Sequence, residues 1–143
     1  MDRVELYTDG SCEPSSGIGG WAFILRFPEI GHEVKAAGRA EETTNNRMEM
    51  TAVIEGLKRL NKRCEVVVYA DSKYVLDGLR SWLPAWKKNG WKKSDKKPVK
   101  NKDLWVVLDE LKKAHKLRYN WVKGHNDHEE NEQVDQMACN IRR

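Results

Sequence analysis

The sequence predicts an α/β fold, a five-stranded mixed sheet with flanking helices. Three observations carry this. Three strand-like segments come before any helix, two further apolar or alternating segments lie between helical stretches, and the chain closes on helical periodicity. That order favours an antiparallel hairpin set followed by crossover helices.

The elements follow in turn. Val4, Leu6 and Thr8 alternate with their neighbours and read as a first strand ending near Asp9. From Gly10 to Gly20 come Pro14, Ser15, Ser16 and four glycines, which predicts a turn-rich connection. Trp21 to Phe27 is apolar on both faces and reads as a central strand, and His32 to Ala40 as a third, with Pro28 and Gly31 marking the connection. Asn45 to Leu60 is helical, with Thr44 or Asn45 as cap and Met48, Ala52 and Leu57 near helical spacing. Glu65 to Ala70 is a β-branched run that reads as a buried strand ending at Asp71. Ser72 caps a helix running to about Leu83, Pro84 interrupts it, and Ala85 to Asn89 adds a turn or two before Gly90. Asp103 to Lys116 is a helix, Lys116 to Val122 a fifth strand, and Glu129 to Arg142 the last helix.

A chain of 143 residues suits one domain, residues 1–143, with a real core. Charged residues make up 34% of it, in mixed sign, and the net charge is +4, so the location of charge matters more than the total. Cys12, Cys64 and Cys139 are odd in number and widely spaced, which suggests neither a zinc site nor a disulfide framework. Met1 to Glu5 has no apolar signal-peptide core. No apolar run approaches the ~20 residues that span a bilayer. A cytoplasmic location without membrane association is expected.

Four acids sit at informative places. Asp9 ends the first strand and Asp71 the fourth, Glu49 lies near the start of a helix, and Asp135 lies on the last helix. An acid at the end of a buried strand is costly unless it is hydrogen-bonded or holds a cation. If strands one and four are parallel neighbours, Asp9 and Asp71 emerge side by side, where carboxylate oxygens suit a hard divalent ion. Each acid alone reads equally well as a surface cap or ion-pair partner. Asn131, Glu132 and Asp135 share one helix face by spacing. His125 and His128, on a loop after the fifth strand, suit metal binding or proton transfer, or plain exposure to solvent.

Lys87 to Lys102 holds eight lysines and one aspartate, a local balance of +7. Trp82, Trp86 and Trp91 interleave with it, and Trp82 and Trp86, four apart, share a helix face. Dense lysine follows a phosphate backbone without reading sequence, and aromatic rings stack on bases or sugars. The bland alternatives are a solvated charge run and tryptophans that anchor the segment to the body.

Taken together these segments resemble type 1 ribonuclease H in its bacterial form. The resemblance runs through Tyr7 to Cys12 (YTDGSC), Thr43 to Glu49 (TTNNRME), Ala70 to Val75 (ADSKYV) and Trp86 to Lys92 (WKKNGWK). It continues through Lys96 to Trp105 (KKPVKNKDLW), Trp121 to His125 (WVKGH) and Glu130 to Asp135 (ENEQVD). It implies the ribonuclease H-like fold and hydrolysis of the RNA strand of RNA/DNA hybrids by a two-metal mechanism, leaving 5′-phosphate and 3′-hydroxyl ends. The family pattern maps its metal-site carboxylates onto Asp9, Glu49, Asp71 and Asp135, holding two Mg²⁺ ions, with Mn²⁺ as an alternative. His125 falls on the loop histidine that assists proton handling or product release. Cys12, Ser15, Thr44, Asn45 and Asn46 fall on substrate contacts near the cut. Trp82, Trp86, Lys87, Lys88, Trp91, Lys92, Lys93, Lys96 and Lys97 fall on a basic substrate-binding protrusion. A monomer is expected.

Some positions depart from the pattern. Pro14, Ser15 and Ser16 stand where the family carries Gly-Asn-Pro, which leaves 2′-hydroxyl sensing to Ser15 or its backbone. Lys73 replaces the usual glutamine. Asp127 and Glu129 replace Gly and Pro, which predicts a stiffer and more acidic histidine loop. A non-catalytic hybrid-binding module and a nuclease for other nucleic acids are the rival readings.

Overall fold

A computed structural model describes residues 1–93, 95–122 and 129–143. Among them the strands are β1 (Asp2–Glu13), β2 (Ile18–Phe27), β3 (His32–Ala40), β4 (Cys64–Ala70) and β5 (Lys116–Trp121). The helices are α1 (Asn45–Lys58), α2 (Lys73–Asp77), α3 (Leu83–Lys88), α4 (Lys102–Ala114) and α5 (Glu129–Ile141), with a π-helical turn at Gly78–Trp82 between α2 and α3. The expected five-stranded mixed sheet is present, in the order β3-β2-β1-β4-β5. The first three strands are antiparallel, while β4 pairs in parallel with both β1 and β5.

The sheet buries both faces, unequally. Val4, Leu6, Phe23, Leu25, Val66 and Val68 face α1, where they meet Met50, Val53, Ile54 and Leu57. The same core extends through Val75 and Leu79 to Trp105 and Leu108 on α4. On the opposite face α5 is the one helix among the described residues, setting Val134 and Ala138 against Tyr7, Ala22 and Ile24. Its close approach needs a glycine, since a Cβ on Gly20 would lie 2.1 Å from the Ala138 carbonyl oxygen. All three cysteines are free thiols. No helix among the described residues is long and apolar enough to cross a membrane.

Two sequence expectations are corrected. The first strand does not end near Asp9; β1 continues to Glu13 and pairs with β2 from Ile18, leaving only a tight turn between them. Gly17, at φ 72°, does make the turn, but Gly10, Gly19 and Gly20 serve close packing, a use that composition does not distinguish from turns. Nor does one helix run from Ser72 to Leu83. Ser72 does cap α2, its Oγ accepting from Val75 N–H, but the π-helical turn inserts before α3. Pro84 sits directly after that turn at the start of α3, and the Leu79 carbonyl five residues before it accepts from Lys112 Nζ instead.

Candidate active site

The parallel pairing of β1 and β4 sets the site. The pair runs in register from Asp2 opposite Cys64 to Tyr7 opposite Tyr69, so Asp9 and Asp71 each stand two residues past that last rung on adjacent strands. Trp121 fixes the end of β4, its Nε1–H donating to the Asp71 carbonyl oxygen at 3.0 Å. Glu49 arrives from α1. A Cβ on Gly10 would lie 2.3 Å from the Glu49 backbone nitrogen, so glycine beside Asp9 lets the helix settle onto the strand. Asp9, Glu49 and Asp71 each offer a carboxylate oxygen within 4.8 Å of the others. Asp135 on α5 comes within hydrogen-bond reach of Asp9 from the other face of the sheet. Four acids spread along the chain thus converge at one sheet end.

The electrostatics follow from burial and like charge. Asp9 is 4% exposed and Glu49 9%. Burial, and next the neighbouring Asp71, push the Asp9 carboxyl up to about 8, against the pull of the Gly10 N–H on its Oδ1 at 2.8 Å. Burial, with Asp9 and then Asp71 adding to it, holds Glu49 well above the ordinary carboxylate range. Among the described residues, the largest influences on both carboxyls are burial and neighbouring acids. Glu49 Oε2 is shut off from water and has no hydrogen-bond partner among the described residues. Hard oxygen donors, uncompensated negative charge and an orphan buried oxygen fit a hard divalent cation.

The other predicted residues are placed as follows. The Cys12 N–H donates to Asn45 Oδ1 at 2.6 Å, tying the β1–β2 hairpin to the start of α1. Thr44 caps α1, its Oγ1 accepting from Arg47 N–H at 3.2 Å, and Asn46 is exposed beside it. Ser15 is exposed at the hairpin turn and donates to Glu13 Oε1 at 2.9 Å. Asn131 and Asp135 turn inward on α5, whereas Glu132 is exposed and does not join them. His125 and His128 lie outside the described residues.

The basic arm lies on the α1 side of the sheet. Trp82 and Trp86 do meet, ring centroids 5.7 Å apart with their planes tilted by 46°, and Trp86 rests edge-on against the buried Trp105 at 5.4 Å. Trp86 and Trp91 pack on the main core, so the anchoring role holds for both, while Trp82 is 36% exposed. Lys93 and Lys100 border an apolar groove floored by Tyr74, Trp82, Trp86 and Val99. Lys87 is turned away, its Nζ 3.4 Å from Asp109 Oδ2, with Lys88 on the same side. Lys92, Lys96 and Lys97 are exposed on a tight loop closed by the Lys93 N–H to the Lys97 carbonyl.

Sequence reasoning missed the fastening of this arm. The Tyr74 hydroxyl accepts from Trp105 Nε1 and from Asn101 Nδ2, both at 3.2 Å. Arg47 forks onto Asp103 at 3.0 and 2.7 Å, joining the starts of α1 and α4. The left-handed backbone of Asn101, φ 61°, is a feature asparagine tolerates and the one local signal available.

Comparison with known proteins adds the following. The family model described as RNase H matches residues 1–142. A ribonuclease H from Hydrogenovibrio crunogenus is 53% identical over 138 residues, covering 96% of this chain and 94% of that protein. A ribonuclease HI from Brucella melitensis biotype 1 is 51% identical over 138 residues, covering 96% of this chain and 88% of that one. Among solved structures, LC9-RNase H1, a type 1 RNase H with the type 2 active-site motif, superposes with a TM-score of 0.85 at 28% identity, over 99% of this chain and 72% of that one. A foamy viral protease–reverse transcriptase in complex with RNA/DNA hybrid shares the fold, with a TM-score of 0.76 at 20% identity, over 98% of this chain and 20% of that one.

Proposed function

Because the chain belongs to the ribonuclease H family, we propose that it is an endoribonuclease that hydrolyses the RNA strand of RNA/DNA hybrids with the help of divalent metal ions. The observation that carries the reading is the meeting of Asp9, Glu49 and Asp71 at the end of two parallel strands, with a buried orphan oxygen among them. Two Mg²⁺ ions, or Mn²⁺ in their place, would supply an activated water and stabilise the leaving 3′-oxygen.

Asp9 would help to hold the ions from a central place, since it meets Glu49 on one side and Asp135 on the other. Glu49 and Asp71 would complete one coordination sphere and Asp135 the other. The Gly10 N–H holds one Asp9 oxygen in place and leaves the second for a cation. Products would carry 5′-phosphate and 3′-hydroxyl ends, since in this reading the 2′-hydroxyl is recognised and does not attack. Asn45 and Asn46, at the exposed start of α1 beside Glu49, are placed to meet the hybrid near the cut, and His125 would assist proton handling or release. The exposed lysines and the Trp82 groove would hold the flanking duplex. A monomer acting as one domain in the cytoplasm is the setting we propose.

The test is release of labelled RNA from a hybrid, with Mg²⁺ and with chelator, alongside duplex DNA and duplex RNA. Metal-dependent cleavage confined to the RNA of the hybrid is expected. Binding without cutting, or equal cutting of duplex DNA, would overturn the reading.

A further inference from the structure

β1 and α5 leave the acid cluster side by side, and three rungs mark their course. At the first, Asp135 is within hydrogen-bond reach of Asp9. At the second, Cys139 Sγ lies 3.8 Å from Ser11 Oγ. At the third, Arg142 and Glu13 line one pocket with Ser16, Ile18 and Arg143. The strand positions are i, i+2 and i+4, which is one face of a strand. Asp135 and Cys139, at i and i+4, share one stripe of α5, and Arg142 follows in the turn directly after the helix ends at Ile141. Strand rise puts the third rung ~13 Å from the first, and helix rise gives ~10 Å. The seam therefore leads from the cluster to the pocket without changing face.

The pocket's charge is unmet. Among the described residues neither arginine side chain has an ion pair or a hydrogen bond, and Arg142 Nε is shielded from water with no acceptor. Glu13 does not pair with either of them; it accepts from the Ser15 hydroxyl. Two guanidinium groups share the pocket with one side-chain carboxylate, that of Glu13. Guanidinium forks suit phosphate oxygens in geometry as well as in charge. The lysine arm stands over the opposite face of the sheet from α5, so the two basic regions bracket the acid cluster.

Resting on the reading of the chain as a nuclease for RNA/DNA hybrids, we propose that Arg142 and Arg143 form a subsite for a backbone phosphate of the RNA strand, a few nucleotides from the cut. The RNA strand is assigned because the seam begins at the acids that would cut it.

The experiment compares R142Q/R143Q with wild type on a hybrid long enough to reach the pocket and on one too short, across a salt series. On the long hybrid KM rises about threefold to tenfold, kcat holds, and the slope of log KM against log salt falls by about one. On the short hybrid the two proteins agree. R142K/R143K keeps the wild-type slope, because the charge survives. A neutral methylphosphonate walked along the RNA strand weakens wild type at one position and weakens R142Q/R143Q no further there. Equal KM values and slopes on both hybrids overturn the subsite. An equal loss on both lengths also overturns it, since the arginines would then only support the fold. A wild-type protein that cuts no hybrid at all overturns the underlying reading instead.

Discussion

Asp9 and Glu49 lie almost wholly out of water, whereas every lysine from Lys87 to Lys102 is exposed. The acids are fixed by the sheet itself, through parallel register, a helix seated on Gly10 and a second helix reaching over from the far face. The lysines ride on a short helix and a loop fastened by aromatic stacking, the Tyr74 hydroxyl and the Asp109 ion pairs. Burial raises the free energy of charge and so prepares a site to take up cations. Exposure leaves charge cheap and screened, suited to meeting a polyanion of any sequence. On the proposed reading one region serves chemistry and the other affinity.

The sharpest break in that contrast is Asp9→Asn. On the proposed reading it lowers kcat by at least about 10³-fold, with little change in hybrid binding. Thermal melting should show the variant folded and, in metal-free buffer at pH 8, more stable than wild type, because a repelling buried charge is gone. A variant that kept its metal-dependent activity would refute the assignment.

The lysines should behave oppositely. Replacing Lys92, Lys93, Lys96 and Lys97 with glutamine should raise KM about tenfold or more and flatten its salt dependence by about one for each phosphate left without a lysine. At saturating substrate kcat should be unchanged. A fall in kcat at constant KM would erase the division between the two regions.

Stability against pH is the next measure. The folded Asp9 carboxyl sits near 8 and its unfolded counterpart near 3.8, so the folded state binds the proton more tightly. The Asp9 contribution to the unfolding free energy of the metal-free protein should therefore be fully present below about pH 4 and be lost, by several kcal/mol, as pH rises through about 8. Added Mg²⁺ should restore stability most at the alkaline end. Denaturant melts across pH, with and without Mg²⁺, read this directly. A flat metal-free profile would mean the acids do not repel one another.

The smallest effect concerns the fastening of the arm. Tyr74→Phe deletes the acceptor for Trp105 Nε1 and Asn101 Nδ2 and should cost about 1–2 kcal/mol, seen as a lower denaturant midpoint. KM should rise modestly with it. An unchanged KM would show that the arm keeps its place without that hydroxyl.

Much of this was legible in the sequence for local reasons. A β-branched run leading to Asp71 marks the end of β4 by composition alone, an alternating run marks β1 although not its end at Glu13, and Thr44 and Ser72 announce their helices by capping chemistry. What failed was reading glycine. Gly10, Gly19 and Gly20 looked like turn formers, yet they sit inside paired strands, where helices α1 and α5 press close. The partner that makes a glycine necessary is remote in sequence, so no window around it carries the signal. The π-helical turn escaped for a related reason, since one extra residue shifts the apolar period without changing its composition. Arg47 with Asp103, and Tyr74 with Asn101, are meetings that only the finished fold brings about. The convergence of the four acids needed the family resemblance, because spacing alone left each as a plausible surface group.

The lone packing of α5 on its side of the sheet has a consequence for how the protein comes into being. Among the described residues this helix is the last element in chain order, and it alone brings Asp135 to the other three acids. On the proposed reading, a growing chain on the ribosome would carry a nearly finished sheet while still short of the acid that α5 supplies. Cleavage would then begin only once α5 had docked over Gly20, so a half-made molecule would leave nearby RNA intact.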